Sequence, residues 1–178
     1  MEKRMIGKSG IETSLFSMGT WPMSGGTWWG QNDDEVSIKA IHTALDAGVT
    51  WVDTAPVYGF GKSEEVVGMA LKGRRDKVIL STKCGLQWQD TNGSFHLSRE
   101  GHDVYRNLSA KSIRRDVENS LKRLQTDYID VLYTHWQSVE PALVPIEETV
   151  GEMMKMKKEG LIRAIGASNV TIDHMKEY

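Results

Sequence analysis

The 178-residue chain is 39% hydrophobic and 26% charged, a composition that suits one globular domain. Its 22 Lys and Arg against 24 Asp and Glu leave a net charge of −2 without a strongly basic stretch, so the charge points to neither nucleic acid nor an acidic membrane as partner. The lone Cys84 excludes an intrachain disulfide and suits a reducing compartment. The N-terminus has no apolar signal region and no stretch approaches about 18 apolar residues, so a cytoplasmic protein is expected.

Residues 3–15 read as a hairpin with its turn at Lys8-Ser9-Gly10. A first core strand, Leu15–Met18, ends at Gly19-Thr20-Trp21, and a Gly- and Trp-rich loop follows. A helix is expected over 33–47, with Asp33 or Asp34 as N-cap, Gly48 as stop, and Ile38, Ile41, Ala44 and Leu45 on its apolar face. Strand two is Thr50–Asp53, and helix two starts after Ser63 with Glu64 and Glu65 placed to complement its dipole. Strand three is Val78–Thr82. A long loop, Gly85–Leu108, leads to helix three over 109–124, strand four at Tyr128–Tyr133, and helix four over 146–158. Strand five, Ile162–Gly166, and a helix beginning at Thr171 close the pattern. The strands are short, apolar and unalternating, as in strands covered on both faces. Strands alternating with helices predict a parallel α/β sheet. No linker or low-complexity segment divides it, so residues 1–178 are expected to form a single domain.

Four strand ends carry the polar chemistry: Asp53-Thr-Ala-Pro-Val-Tyr58, Ser81-Thr-Lys83, Tyr133-Thr-His135 and Gly166-Ala-Ser168-Asn169. In a barrel of parallel strands such tips converge on one face, where active sites lie. Hydride arriving at a carbonyl carbon leaves an alkoxide-like oxygen that a general acid must protonate. A phenol, with an ordinary pKa of about 10, needs a nearby cation to do this near neutral pH. Tyr58 is the candidate acid, Lys83 the cation, Asp53 the carboxylate that aims Lys83, and His135 the donor that sets the carbonyl's angle. Taken singly, each has a plainer reading: Asp53 as a cap, Lys83 as a solvated charge, His135 as a structural imidazole, Ser168-Asn169 as a helix cap. Their coincidence at equivalent strand ends favours the shared site.

Trp21, Trp28, Trp29, Trp88 and Trp136 follow strand ends or sit in the loops above them, which suits a small-molecule pocket. Of these, Trp21, Trp28, Trp88 and Trp136 are the candidate pocket residues, while Trp51, at a strand's start, is expected to pack at the floor. Two decoys fail. Gly59-Phe-Gly61-Lys62-Ser63 ends like a phosphate-binding loop, but the glycine needed upstream is Pro56, and no G-x-G-x-x-G follows a strand. His42, His96, His102, His135 and His174 show no metal-ligand spacing.

The motifs Asp53-Thr-Ala-x-x-Tyr58-Gly with Ser63-Glu64, Thr82-Lys83, Asp127-Tyr-Ile-Asp130, His135 and Gly166-x-Ser168-Asn169 together resemble the aldo-keto reductases, from Arg4 to Tyr178. The resemblance implies a (β/α)8 TIM barrel closed beneath by an N-terminal hairpin, and hydride exchange between NADP(H) and a small carbonyl substrate. It assigns Asp53, Tyr58, Lys83 and His135 to catalysis, Ser168 and Asn169 to the nicotinamide carboxamide, and Gly19-Thr20-Trp21, with Asp53, to the cofactor's nicotinamide side. The family also includes non-catalytic β-subunits of potassium channels, so a cofactor-binding regulator is an alternative, as is an inactive barrel fragment. A complete barrel needs about 250 residues. Only about five βα units are read here, without strands six to eight or the family's phosphate-gripping loop, so two expectations stand: the chain is an N-terminal fragment, or a second chain or copy completes the barrel.

Overall fold

The structure, a computed structural model, describes residues 1–177; Tyr178, where the resemblance ends, lies outside the described residues. Strands β1 (Lys3–Met5) and β2 (Glu12–Ser14) form the expected antiparallel hairpin. Its end is fastened beneath the sheet by a reciprocal pair of bonds: Ser14 N donates to Thr50 Oγ1 and Thr50 N to Ser14 Oγ, both at 2.9 Å. The first core strand, β3 (Ser17–Gly19), starts two residues later than expected, because Leu15 and Phe16 point to solvent. The Gly- and Trp-rich loop holds a 3-10 turn, Trp21–Ser24, and one helical turn, α1 (Gly26–Trp29).

Helix α2 (Asp34–Asp46) is capped by Asp33, whose carboxylate accepts from Glu35 N and Val36 N at 2.8 and 3.2 Å. Strand β4 (Trp51–Asp53) then leads to α3 (Lys62–Leu71), and β5 (Ile79–Cys84) follows. The segment 85–108, read from sequence as a loop, instead folds into a second sheet. It contains β6 (Leu86–Gln87), β7 (Ser94–Arg99) and β8 (His102–Arg106), antiparallel in the order β6-β8-β7. Glu100 and Gly101, at φ 50° and 79°, join β7 to β8 as a two-residue hairpin turn whose twist matches that of the strands.

Helix α4 (Ala110–Leu124), β9 (Ile129–His135), α5 (Ile146–Glu159), β10 (Ile162–Ser168) and a single turn, α6 (Ile172–Met175), complete the described chain. β9 and β10 each run two residues beyond the expected ends, so His135 and Ser168 lie within the ladder. The main sheet is parallel throughout, in the order β3-β4-β5-β9-β10. Chain order equals spatial order, as in an arc of a βα barrel. Among the described residues, β3 and β10 each pair on one side only.

Helices and sheet meet in two apolar layers. Val52 and Leu80 pack with Ile41, Val66, Val67 and Leu71, while Leu132 and Ile162 pack with Ile113, Val117, Met153 and Met156. Burying each such side chain contributes about 1.5–3 kcal/mol. Charged residues also lie between the layers, and each is answered. Asp130 accepts from Arg75 at 2.8 Å, Arg163 at 2.9 Å and Leu80 N at 2.9 Å, and the Tyr128 ring lies under both guanidiniums, each 3.9 Å from its centroid. Glu64, read from sequence as a dipole-complementing residue, is fully buried and takes Thr82 Oγ1 at 2.6 Å and Arg123 Nε at 2.7 Å, which ties α3 to both β5 and α4.

Asp116 on α4 accepts from Gly85 N at 2.9 Å, and its burial, only partly offset by that bond and by Arg115 and Arg123, pushes its carboxyl up from 3.8 to about 7. The fold therefore favours the protonated form. That benefit is fully present below 3.8 and is lost as pH rises through about 7. Asp116→Asn, which stays neutral, should gain stability relative to the parent across this window, by at most about 1.4 kcal/mol per pH unit, and then hold a constant advantage. Urea denaturation at a series of pH values measures the difference.

Candidate active site

Strand register sets the levels of the site. Gly19, Asp53 and Ser81 lie side by side, Lys83, Tyr133 and Gly166 form the next row, and His135 and Ser168 pair above them. The rows allow a carboxylate on β4 to meet an ammonium from β5. Lys83 Nζ donates to Asp53 Oδ2 at 2.7 Å and to the Thr54 carbonyl at 2.8 Å, while Ser81 Oγ donates to Asp53 Oδ1 at 2.6 Å. Ser81 in turn receives Trp51 Nε1 at 2.9 Å. Trp51, expected at the floor, thus faces the same inner surface as Asp53 and Lys83, where these residues with Tyr133 and Ser168 line a cavity of about 270 Å³. Gly166 has no side chain because the Tyr133 ring covers it: a Cβ there would lie 2.5 Å from the ring.

Tyr58 stands in the β4–α3 connection with the Lys83 ammonium 4.8 Å from its ring centroid. Trp21 stacks on one side of it at 5.7 Å, and His135 meets it edge-on at 6.1 Å. The connection is shaped by three fully buried hydroxyls. Ser63 Oγ lies 2.8 Å from Thr20 Oγ1 and 3.0 Å from Thr54 Oγ1, and donates to the Thr20 carbonyl at 2.9 Å. Gly59 doubles the chain back at φ 62°, and a Cβ there would meet Ser24 Cβ at 2.8 Å. Thr20, a candidate cofactor neighbour, therefore spends its hydroxyl inside the protein, whereas Gly19 is exposed.

His135 is 8% exposed. Burial first, then the Lys83 charge and His96, push its pKa down to about 3, so the imidazole is neutral at physiological pH. Its Nδ1 is buried without a hydrogen-bond partner. An unpaired nitrogen is better left as a lone pair than as an N–H, which puts the ring proton on Nε2.

Above these groups lies a cavity of about 360 Å³. The strand ends and their connections contribute Trp21, Trp28, Tyr58, Phe60, His135, Trp136 and Asn169 to its lining. Phe60, Trp136 and Asn169 hold φ of 54°, 76° and 60°, and they are three of the five non-glycine residues at positive φ among the described residues. Such backbone strain is a frequent property of functional sites. The small antiparallel sheet supplies Leu86, His96, Leu97, Arg99 and Val104. Its hairpin tip is latched across the mouth, with Glu100 Oε1 taking Thr27 N at 2.7 Å and Thr27 Oγ1 at 2.9 Å, and Arg99 lying 4.5 Å over Trp28.

Sequence reading missed this wall altogether. Its signal was present in the Glu100-Gly101 pair, which follows the polar-apolar alternation of Ser94–Ser98 and precedes the Val104-Tyr105 pair. Trp88 is a correction. It does not line the cavity but packs edge-on behind Phe60 at 5.4 Å, because β6 turns the chain away before it. Ser168 faces the Asp53–Lys83 side and Asn169 the upper cavity, with Asn169 Nδ2 3.2 Å from Ser168 Oγ. Cys84 is buried and its thiol is pushed well above its ordinary value, first by burial and then by Asp116.

An arc of parallel strands that brings a phenol, a paired lysine and a neutral imidazole to one apolar cavity has the equipment of a βα-barrel site for proton transfer to a bound oxygen. The model of the Aldo/keto reductase family matches residues 16–178, and the chain belongs to that family. It is 47% identical, over its whole length, to the Bacillus subtilis aldo-keto reductase YhdN, of which it covers 50%, and 46% identical to the Escherichia coli NADH-specific methylglyoxal reductase, of which it covers 55%. Among solved structures, 98% of the chain superposes on the glycerol dehydrogenase AKR11B4 of Gluconobacter oxydans with a TM-score of 0.83 at 37% identity, covering 50% of that chain. The chain thus spans about half the length of the relatives it matches.

Replacing Lys83 by Met leaves the Asp53 carboxylate without its cation. Breaking a fully buried pair costs about 3–5 kcal/mol. The Asp53 side chain is 26% exposed, so a smaller loss, about 2 kcal/mol, is expected from denaturation of the variant.

Proposed function

We propose that the chain forms the catalytic half of a nicotinamide-dependent carbonyl reductase. The observation that carries this reading is Tyr58 standing against the Lys83 ammonium, itself fixed by Asp53, beside a neutral His135. The substrate's carbonyl oxygen sits between the Tyr58 hydroxyl and the His135 Nε2–H. His135 orients the oxygen by a hydrogen bond. Tyr58 donates its proton as negative charge develops there, and the Lys83 ammonium stabilises the phenolate left behind. Asp53 keeps Lys83 charged and aimed. The bound cofactor supplies the hydride. The aromatic walls exclude water and suit small carbonyl compounds.

Ser168 and Asn169 fit a nicotinamide carboxamide in chemistry. The exposed Asn169 amide and the Ser168 hydroxyl offer both donors and acceptors beside His135. Gly19 and Trp21 border the same side. The proposed cofactor is NADP(H), as the resemblance implies. The E. coli relative, however, is named for NADH, so both cofactors enter the test. The open edges of β3 and β10 are where further strands, from additional chain or a second polypeptide, would complete the barrel. We place the protein in the cytoplasm, where a reducing environment suits the buried Cys84 thiol. No helix among the described residues is long and apolar enough to cross a membrane.

In a form with measurable carbonyl reduction, Tyr58→Phe should lower the rate by about a hundred- to ten-thousandfold while cofactor affinity stays unchanged. A variant retaining a tenth of the parent rate would remove Tyr58 from the acid's role. For the 178-residue chain alone, tryptophan fluorescence titration should show both NADPH and NADH binding weaker than micromolar. Phosphates are held mainly by charge-assisted contacts, each worth about 1.5–3 kcal/mol, and the described strand ends offer few of them. Micromolar binding by the monomer would mean that this half of the site suffices.

A further inference from the structure

The wall contributed by the antiparallel sheet holds a second imidazole. His96 on β7 lines the same cavity as Tyr58 and His135. Its Nδ1 lies 3.0 Å from Arg106 Nε on the neighbouring strand β8. A guanidinium can only donate. Nδ1 must therefore accept, and the ring proton must be on Nε2. Protonating the ring would set one N–H against another, so the lock also keeps His96 neutral. In accord with this, burial and then the Arg106 charge lower its pKa.

Arg106 is itself committed to this task. Among the described residues it forms no ion pair. Its guanidinium lies 4.9 Å over the Trp136 ring, and beyond His96 it reaches only the Gln137 carbonyl, at 3.5 Å. Trp136 also packs against His96 at 5.4 Å and follows His135 directly in the chain. His96 Nε2–H is accessible and makes no hydrogen bond within the protein among the described residues. It is a donor of fixed tautomer, placed in a largely aromatic and apolar wall, with nothing of the protein's own to bind.

We infer that His96, held by Arg106 in its Nε2–H form, is a specificity-determining hydrogen-bond donor for a second oxygen of the substrate, close to the carbonyl that Tyr58 and His135 engage. The favoured substrates are accordingly small carbonyl compounds with a neighbouring hydroxyl or carbonyl group. Arg106 acts through His96 as a positioning residue. The inference rests on the carbonyl-reductase reading for the identity of the first oxygen, but its test does not need turnover. The other residues of this wall are Leu86, Leu97, Val104 and Arg99, whose guanidinium lies over Trp28; a substrate lacking the second oxygen therefore leaves the His96 donor unpaired.

With isotope-labelled histidine, long-range proton–nitrogen correlation near neutral pH should find His96 protonated on Nε2 and bare on Nδ1. Arg106→Leu should release it into a mixture of tautomers, while Arg106→Lys, which keeps a donor, should hold it. The protein is then titrated with hydroxyacetone and with butanone, which match in heavy-atom count and differ in the second oxygen. Hydroxyacetone should move the His96 Nε2 resonance and bind about three- to tenfold more tightly, the worth of one neutral hydrogen bond. His96→Leu should abolish this preference and leave butanone binding in place, and His96→Gln, with its amide donor, should restore much of it. A His96 carrying its proton on Nδ1, equal binding of the two compounds, or an equal loss of both in His96→Leu would each overturn the inference. Because these readouts are equilibrium ones, a parent rate unchanged in Tyr58→Phe would strike the reductase reading and leave this result separately interpretable.

Discussion

The ammonium of a lysine that is only 6% exposed needs an answering group, and in this fold the answer comes from two strands at once. Asp53 and the Thr54 carbonyl receive Lys83, and Ser81 holds the second oxygen of Asp53. This pairing is possible only when β4 and β5 run parallel in the register that sets Asp53 beside Ser81, two residues short of Lys83. A slip of one residue would turn Lys83 to the helix side and Thr82 to the interior. The register is reinforced from the opposite face, where Thr82 donates to the buried Glu64 of α3. The polar interior and the ionic outer layer therefore specify the same alignment.

The sheet and the loops above it divide the work. The floor is fastened by permanent contacts: the Ser14–Thr50 exchange and the Asp130 cluster with Arg75, Arg163 and Tyr128. The upper face carries positive-φ residues, an unpaired imidazole nitrogen and a wall that comes from another sheet. That wall is no loose excursion. Gln87 is fully buried and bonds to Asp90 and Asn92, Arg115 of α4 grips Asp90 at 2.6 Å, and the hairpin tip is held by Thr27. Arg115 draws the Asp90 carboxyl below its ordinary value. Residues presented to the cavity from this sheet are consequently as well positioned as those from the strand ends.

Much of this was legible in the chain itself. The alternation of short apolar runs with helical periodicity determined the βα order, Asp33 was readable as a cap, and the polar tips Asp53, Tyr58, Lys83 and His135 stood where parallel strands converge. These features are local: they depend on spacing, on propensity and on which residues end an apolar run. Other features depended on partners far along the chain, and only the tertiary structure decided them. Glu64 read as a helix-dipole residue because its partner in the interior, Arg123, is 59 residues away and only half-buried itself. Trp88 read as a pocket residue because position near a strand tip does not fix side-chain direction, which follows from the strand's path. Segment 85–108 read as a loop because its strands are short and partly polar, and the burial that stabilises them comes from α4 and the cavity rather than from their own alternation. The same holds for His96: its residue type says only that a proton can sit on either nitrogen, whereas the packing of β7 against β8 brings Arg106 to Nδ1 and chooses which one.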